Sequence, residues 1–129
     1  MQIYRSFYEK GWDHVILNHE RKKYEIYVNF DFLKCGDFIS IEDAVEKINS
    51  FYKEHKIDTK ISVNDFMPYQ THIGNNIFVM WGCGNLYDVV VGTGYLNDVK
   101  YNLIKKIPYD LAVQKAEQIL KICEVKNEQ

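Results

Sequence analysis

Residues 77–95 read IFVMWGCGNLYDVVVGTGY, and this stretch decides the fold. Two runs rich in β-branched and aromatic residues, 77–81 and 86–91, flank Gly82, Cys83, Gly84 and Asn85. That is the pattern of a β-hairpin. Both runs are apolar at odd and even positions, so each strand is expected to be covered on both faces. The hairpin is taken as the centre of a sheet, and the rest of the chain is read outward from it.

On its C-terminal side, Gly92 and Gly94 bracket Thr93 and mark a bulge or bend. Residues 99–107 alternate again, with Val99, Tyr101 and Leu103 on one parity. Pro108 stops that strand and suits the first turn of a helix. The helix, 109–123, carries Ala112, Val113, Ala116, Ile119, Leu120 and Cys123 as one stripe, and residues 125–129 are expected to fray.

On its N-terminal side, residues 2–8 read as an edge strand, with a short helix as the competing reading, before a turn at Lys10-Gly11; 14–19 (HVILNH) read as a second strand. Residues 23–32 (KYEIYVNFDF) read as one long third strand. Tyr24, Ile26, Val28, Phe30 and Phe32 face one way, and Tyr27 sits among polar residues on the other. Ile41, Ala44, Val45, Ile48, Phe51 and Tyr52 recur at the helical period, with Ser40 as N-cap and Asp43 three residues on. Between 58 and 74 the pattern weakens. Lys60–Val63 suggests a short strand, Met67-Pro68 a turn, and Tyr69–Ile73 a further strand.

The expected fold is therefore α+β: one domain over 1–129, an antiparallel sheet of five to seven strands with two amphipathic helices on one face, in the order β-β-β-α-β-β-β-α. The two halves share an order of elements. Tyr24-Glu25-Ile26-Tyr27-Val28 and Tyr87-Asp88-Val89-Val90-Val91 share a pattern of aromatic, acid and three further strand-formers.

Composition narrows the function. Sixteen basic residues against eighteen acidic ones supply no broad positive field, which argues against direct nucleic-acid binding. Three cysteines without repeated spacing, no signal segment and no apolar run of bilayer length point to a cytoplasmic chain with free thiols. Aromatic content is 15%, with ten tyrosines, more than a core of this size needs.

Catalytic and metal signatures are sparse. Cys83 lies between two glycines, and His72 is the base that pairing of 69–73 with the hairpin would bring near it; nothing in the spacing supplies an orienting third group. His14, His19, His55 and His72 form no CxxC, HxxxH or HExxH pattern with one another or with the cysteines, so no metal or cofactor is expected. The two GxG triplets lack the helix start that a phosphate loop requires. Asp31 with Asp37 and Asp88 with Asp98 are not distinguishable from ordinary turn carboxylates.

What remains is an aromatic surface. With helices on one side, the face bearing Tyr27 needs a cover, and residues 58–74 are the internal candidate. The expectation is a non-enzymatic binding module whose contacts are Tyr27, Trp81, Asn85, Tyr87, Tyr95 and Tyr101. A protein partner fits best, in the manner of the small inhibitor and immunity-type proteins of bacteria and their viruses, an analogy of size and composition only. The alternative is a planar or nucleotide-like small ligand held in an aromatic pocket, within one copy of the chain or between two, with Asn85 or Asp88 reading its edge.

Overall fold

The computed structural model describes residues 1–95 and 98–128, with side chains described to Cys123. It contains eight strands and two helices: β1 (Gln2–Lys10), β2 (Asp13–Asn18), β3 (Lys23–Val28), β4 (Asp31–Asp37), α1 (Ile41–Glu54), β5 (Met67–Gly74), β6 (Ile77–Cys83), β7 (Leu86–Gly92), β8 (Val99–Pro108) and α2 (Tyr109–Glu128). The α+β class is as expected, but the order is four strands and a helix, twice. The chain divides into an N-terminal unit, Arg5–Met67, and a C-terminal unit of Pro68–Gln129 with Met1–Tyr4. No described helix is long and apolar enough to cross a membrane.

The extra strand comes from residues 23–32. Their unbroken alternation conceals a two-residue turn at Asn29-Phe30, where φ is 52° and 69°. Two consecutive positive φ values are what a type I′ hairpin turn requires, since that turn's twist matches the flanking strands. Asn at the first position is a conventional signal; Phe at the second, where Gly is usual, hid the turn.

In the N-terminal unit all four strands are antiparallel neighbours in the order β1-β2-β3-β4. Val15 pairs with Ile26, Leu17 with Tyr24, and Tyr24 with Gly36. Val15, Leu17, Tyr24 and Ile26 face α1 and pack with Ala44, Ile48, Phe51 and Tyr52. The Ser40 hydroxyl accepts from the Asp43 amide at 3.1 Å, and Asp43 accepts in turn from the Ile39 amide, so α1 is capped as its sequence indicated. Residues 58–66 do not form a strand. Ser62 begins a single 3-10 turn at Val63–Asp65, and Ile57, Ile61 and Phe66 close the helix side of this core.

The C-terminal unit repeats the plan. β5, β6, β7 and β8 pair in sequence order. Ile77, Val79, Tyr87 and Val89 pack under Ala112 and Ala116 of α2, with Ile104 and Ile107 of β8 completing the layer. Met67 and Pro68 open β5 rather than a turn. Pro108 is the last residue of β8, pairing with Leu86, and α2 continues to Glu128, beyond the expected end at Cys123. Of the tail expected to fray, Gln129 and the side chains after Cys123 lie outside the described residues.

The other face of β6 and β7 is closed by a different route from the one expected. Phe78 and Val90 are buried, as is Gln70 on β5. Tyr4 lies on His72 and Phe78, at centroid distances of 5.2 and 5.7 Å. The Gln70 side chain donates to the Gly94 carbonyl at 3.0 Å, which draws the loop after β7 over Phe78. Residues 58–74 supply only part of this cover: 58–66 belong to the helix side of the N-terminal core, while Gln70 and His72 of β5 lie on the covered face of the C-terminal unit.

Candidate functional site: an aromatic cluster on two hairpin tips

In the N-terminal unit the turns between β1 and β2 and between β3 and β4 lie at the same end of the strands, because both hairpins are antiparallel to a shared neighbour. Gly11, at φ 61°, makes the first turn, and Trp12 follows it. Asn29 and Phe30 make the second. The turns are tied together: the Phe30 amide donates to the Trp12 carbonyl at 3.1 Å, and the Asn29 amide donates to Asp13 Oδ1 at 2.9 Å. The Trp12 and Phe30 rings pack at 5.0 Å, with exposures of 65% and 66%.

Two residues further along each strand the pattern continues. His14 stacks on Tyr27 at 4.3 Å and only 10° from parallel, and Tyr27 meets the edge of Phe32 at 5.5 Å. Cα pairing of His14 with Tyr27, and of Tyr27 with Phe32, puts all three on the face turned away from α1. The Tyr27 hydroxyl donates to Glu25 Oε2 at 2.7 Å. Desolvation, followed by the Glu25 carboxylate, pushes this phenol up to about 12, so it stays a neutral donor at physiological pH. Phe32 is 53% exposed, and Leu33, the extra residue where the β3–β4 register shifts, is 47% exposed.

This is a large apolar area on a fixed frame. Strand pairing sets the positions of its backbone, and ring contacts and hydrogen bonds restrict its side chains. Rigid aromatic groups lose little entropy when a partner covers them, which is why they dominate binding surfaces. Around them stand Glu9, Lys10, Asp13 and Asp31, with one more acid pair than cation can balance. The backbone at Phe30 adds a second argument. A bulky residue in the left-handed region is destabilised by roughly 1–2 kcal/mol. Phe30 keeps that conformation while leaving most of its ring in solvent, which the packing of this unit alone does not require.

Of the residues expected from the sequence, only Tyr27 belongs to this cluster. Tyr87 is a correction: it is 2% exposed, its ring packs against Tyr109, and its hydroxyl donates to the Pro68 carbonyl at 2.7 Å. It is a core residue of the C-terminal unit and has no face to offer a partner. Trp81 is half-buried on the α2 side, donating to the Gly84 carbonyl, with Tyr69 beside it at 5.8 Å. Asn85 is exposed in the β6–β7 turn, where Gly84 has φ 56°. Tyr95 and Tyr101 are 69% and 68% exposed, the first in the loop after β7 and the second on β8.

The weaker candidates are not assembled. His72 pairs with Phe78, and Cys83 lies five residues further along β6, about 16 Å away at strand rise. His72 Nε2 instead contacts the Asn75 carbonyl at 2.7 Å, and Cys83 is exposed. Asp88 accepts from the Lys106 amide and holds a bulge in β8, while Asp98 accepts from Thr93; both have structural work. Asp37 pairs with Lys23, which lowers its carboxyl, so Asp31 and Asp37 form no acid–base couple. Among the described residues no group of three or more His, Cys, Asp or Glu could hold a metal ion.

Trp12, Phe30 and Phe32 escaped the sequence reading because Phe30 and Phe32 fit an inward-facing strand pattern and Trp12 sat in a short turn. The available signal was Asn29, a residue tolerant of positive φ, breaking the strand six residues after Lys23. Comparison with protein-family models, curated proteins and solved structures finds no match.

Proposed function

We propose that this chain is a docking module that acts by binding, and that the two hairpin tips of the N-terminal unit are its contact surface. Trp12, Phe30 and Phe32 are the anchors, with Tyr27 behind them. The observation that carries the reading is that these three rings, each more than half exposed, stand at or within two residues of two turns tied together by hydrogen bonds, Trp12 packed on Phe30 and Phe32 on Tyr27. The acidic balance of the rim, from Glu9, Asp13 and Asp31 against Lys10, fits a protein partner with an apolar pocket bordered by Lys or Arg. Exposed thiols at Cys35, Cys83 and Cys123 support a cytoplasmic setting.

The test is capture from source-cell lysate with wild type, Trp12→Ala, Phe32→Ala and, as a surface control, Tyr101→Ala, followed by calorimetry on the purified captured protein. The expected result is one protein bound by wild type and Tyr101→Ala and lost with the two tip variants. A partner retained by both tip variants overturns the site.

A further inference from the structure

We infer that the N-terminal unit holds a receptor for a single ammonium group, formed by Tyr8, Asp13, Tyr52 and Asp65 on the helix side of the sheet, next to the hairpin tips. The group it takes is the ammonium of a lysine side chain on the docking partner, and that choice of source rests on the reading above. Strand register assembles the corner. Tyr8 pairs with Val15 and Lys10 with Asp13, so alternation turns Tyr8, Val15 and Asp13 together toward α1. Tyr8 packs against the core that contains Tyr52, with the Phe66 ring at a centroid distance of 6.4 Å.

The two acids are held by their loops. Ser62 donates to Asp65 Oδ2 from its amide at 2.7 Å and from its hydroxyl at 3.2 Å. The Asn29 amide donates to Asp13 Oδ1. Each carboxylate therefore keeps one oxygen outside these bonds. Among the described residues no cation is ion-paired with either acid, Lys10 opposite Asp13 included.

The Tyr52 hydroxyl points to a ligand. Tyr52 is 1% exposed, and among the described residues its hydroxyl is the buried side-chain polar atom with no hydrogen-bond partner. Such a group costs stability that a phenylalanine of the same shape would not. Burial, then the Tyr8 phenol and the Asp13 carboxylate, push it up to about 12, which places it on the side of the corner that holds the acids. Burial, Asp65 and Asp13 raise the Tyr8 phenol as well. The Tyr52 oxygen is sealed from solvent, and half-buried Tyr8 is the side chain that turns to admit the ligand. Two phenol oxygens and two uncompensated carboxylates can all accept; they lack a positively charged donor. Each acid offers one oxygen from a different element. That suits the compact three-donor head of lysine better than the flat fork of arginine, and the Tyr8 and Phe66 rings favour a cation beside them.

The test is a titration of the full chain, with tyrosine rings isotope-labelled, against Nα-acetyl-L-lysine amide, read by NMR at Tyr8 and Tyr52. Saturable shifts at both rings are expected, with half-saturation on the order of 1–10 mM for one ion contact. Asp13→Asn and Asp65→Asn keep the oxygens that hold their loops and should each weaken binding about tenfold. Tyr52→Phe should also weaken it, with Tm equal to wild type or raised by about 2–4 °C, since the hydroxyl it removes is unpartnered. The uncharged Nε-acetylated probe should not bind, and Nα-acetyl-L-arginine amide should bind more weakly. No saturable shift up to about 100 mM overturns the inference. So does equal affinity in both Asn variants, equal binding of either comparison probe, or a Tm lowered in Tyr52→Phe, which would give the hydroxyl an internal partner. Trp12→Ala should leave this titration unchanged, so failure of the tip surface and failure of the ammonium site read out separately.

Discussion

The two units solve the same packing problem with different fourth strands. Each has four antiparallel strands under one helix, and in each a Tyr-acid-aliphatic triplet on the third strand turns its first and third residues to the core: Tyr24 and Ile26 of 24–26, Tyr87 and Val89 of 87–89. In the C-terminal unit β8 offers Ile104 and Ile107 to α2, and the Tyr87 hydroxyl is bonded to Pro68. In the N-terminal unit β4 offers Lys34 and Gly36, and the Tyr24 ring lies across Gly36. The first unit spends its core on closure. The second leaves one edge unfilled and presents aromatic rings at its hairpin tips. The contrast teaches that a shared plan of elements fixes where a core must be, while two or three inward residues decide how completely its edge is filled.

The comparison can be broken most sharply at the shared core. Ile26 and Val89 occupy matching positions and are both fully buried. Ile26→Ala should cost about 2–5 kcal/mol in a urea melt, through lost burial and the cavity left behind. A cost below about 1 kcal/mol would show that the N-terminal core is not packed as described.

Exchange of the fourth-strand residues is the next test. Ile104→Lys should destabilise by about 1–3 kcal/mol, since the charge enters an apolar layer. Lys34→Ile should be neutral or stabilising by up to about 1 kcal/mol, because it adds apolar area at the unfilled edge of that core. If both substitutions cost the same, the two edges are equivalent and the contrast fails.

A smaller effect of opposite sign is expected at the tip. Phe30→Gly relieves the positive φ at the loss of one ring contact with Trp12, so it should raise stability by about 0.5–1 kcal/mol while weakening partner binding. Lower stability with intact binding would remove Phe30 from the proposed surface.

The smallest effects are on pH. Tyr52 and Tyr87, one in each core, are both pushed up to about 12, chiefly by burial. Between pH 10 and 12 the folded chain therefore holds protons that the unfolded chain has released, and stability falls as pH rises. His19, half-buried and 2.7 Å from the Ser6 hydroxyl, is shifted the other way by desolvation. Below about pH 6.5 the unfolded chain takes up that proton first, so stability falls as pH drops. Denaturation midpoints across both windows check the two slopes, and His19→Gln should flatten the acid one.

Much of the fold was written in local pattern. The amphipathic period of 41–52 and the Ser40 cap produce α1, and the Gly/Asn turn between two apolar runs produces the β6–β7 hairpin. Those signals are local because hydrogen bonding and side-chain periodicity are local. The aromatic excess correctly pointed to rings beyond the needs of the core. Which rings those are was not legible: Tyr87 and Tyr101 look alike in sequence, yet one is 2% and the other 68% exposed.

Burial is a property of register and of which segment lies opposite, and these are decided by pairings far apart in the chain. Two consecutive residues at positive φ turned one expected strand into two and brought Phe30 beside Trp12. Gly94, 24 residues from Gln70, closed a face expected to be covered by another segment. Sequence alone determined the class of fold, its helices and its surplus of aromatic side chains; only tertiary structure decided which of them meet, because a strand's inward residues become a core or a site according to what packs against them.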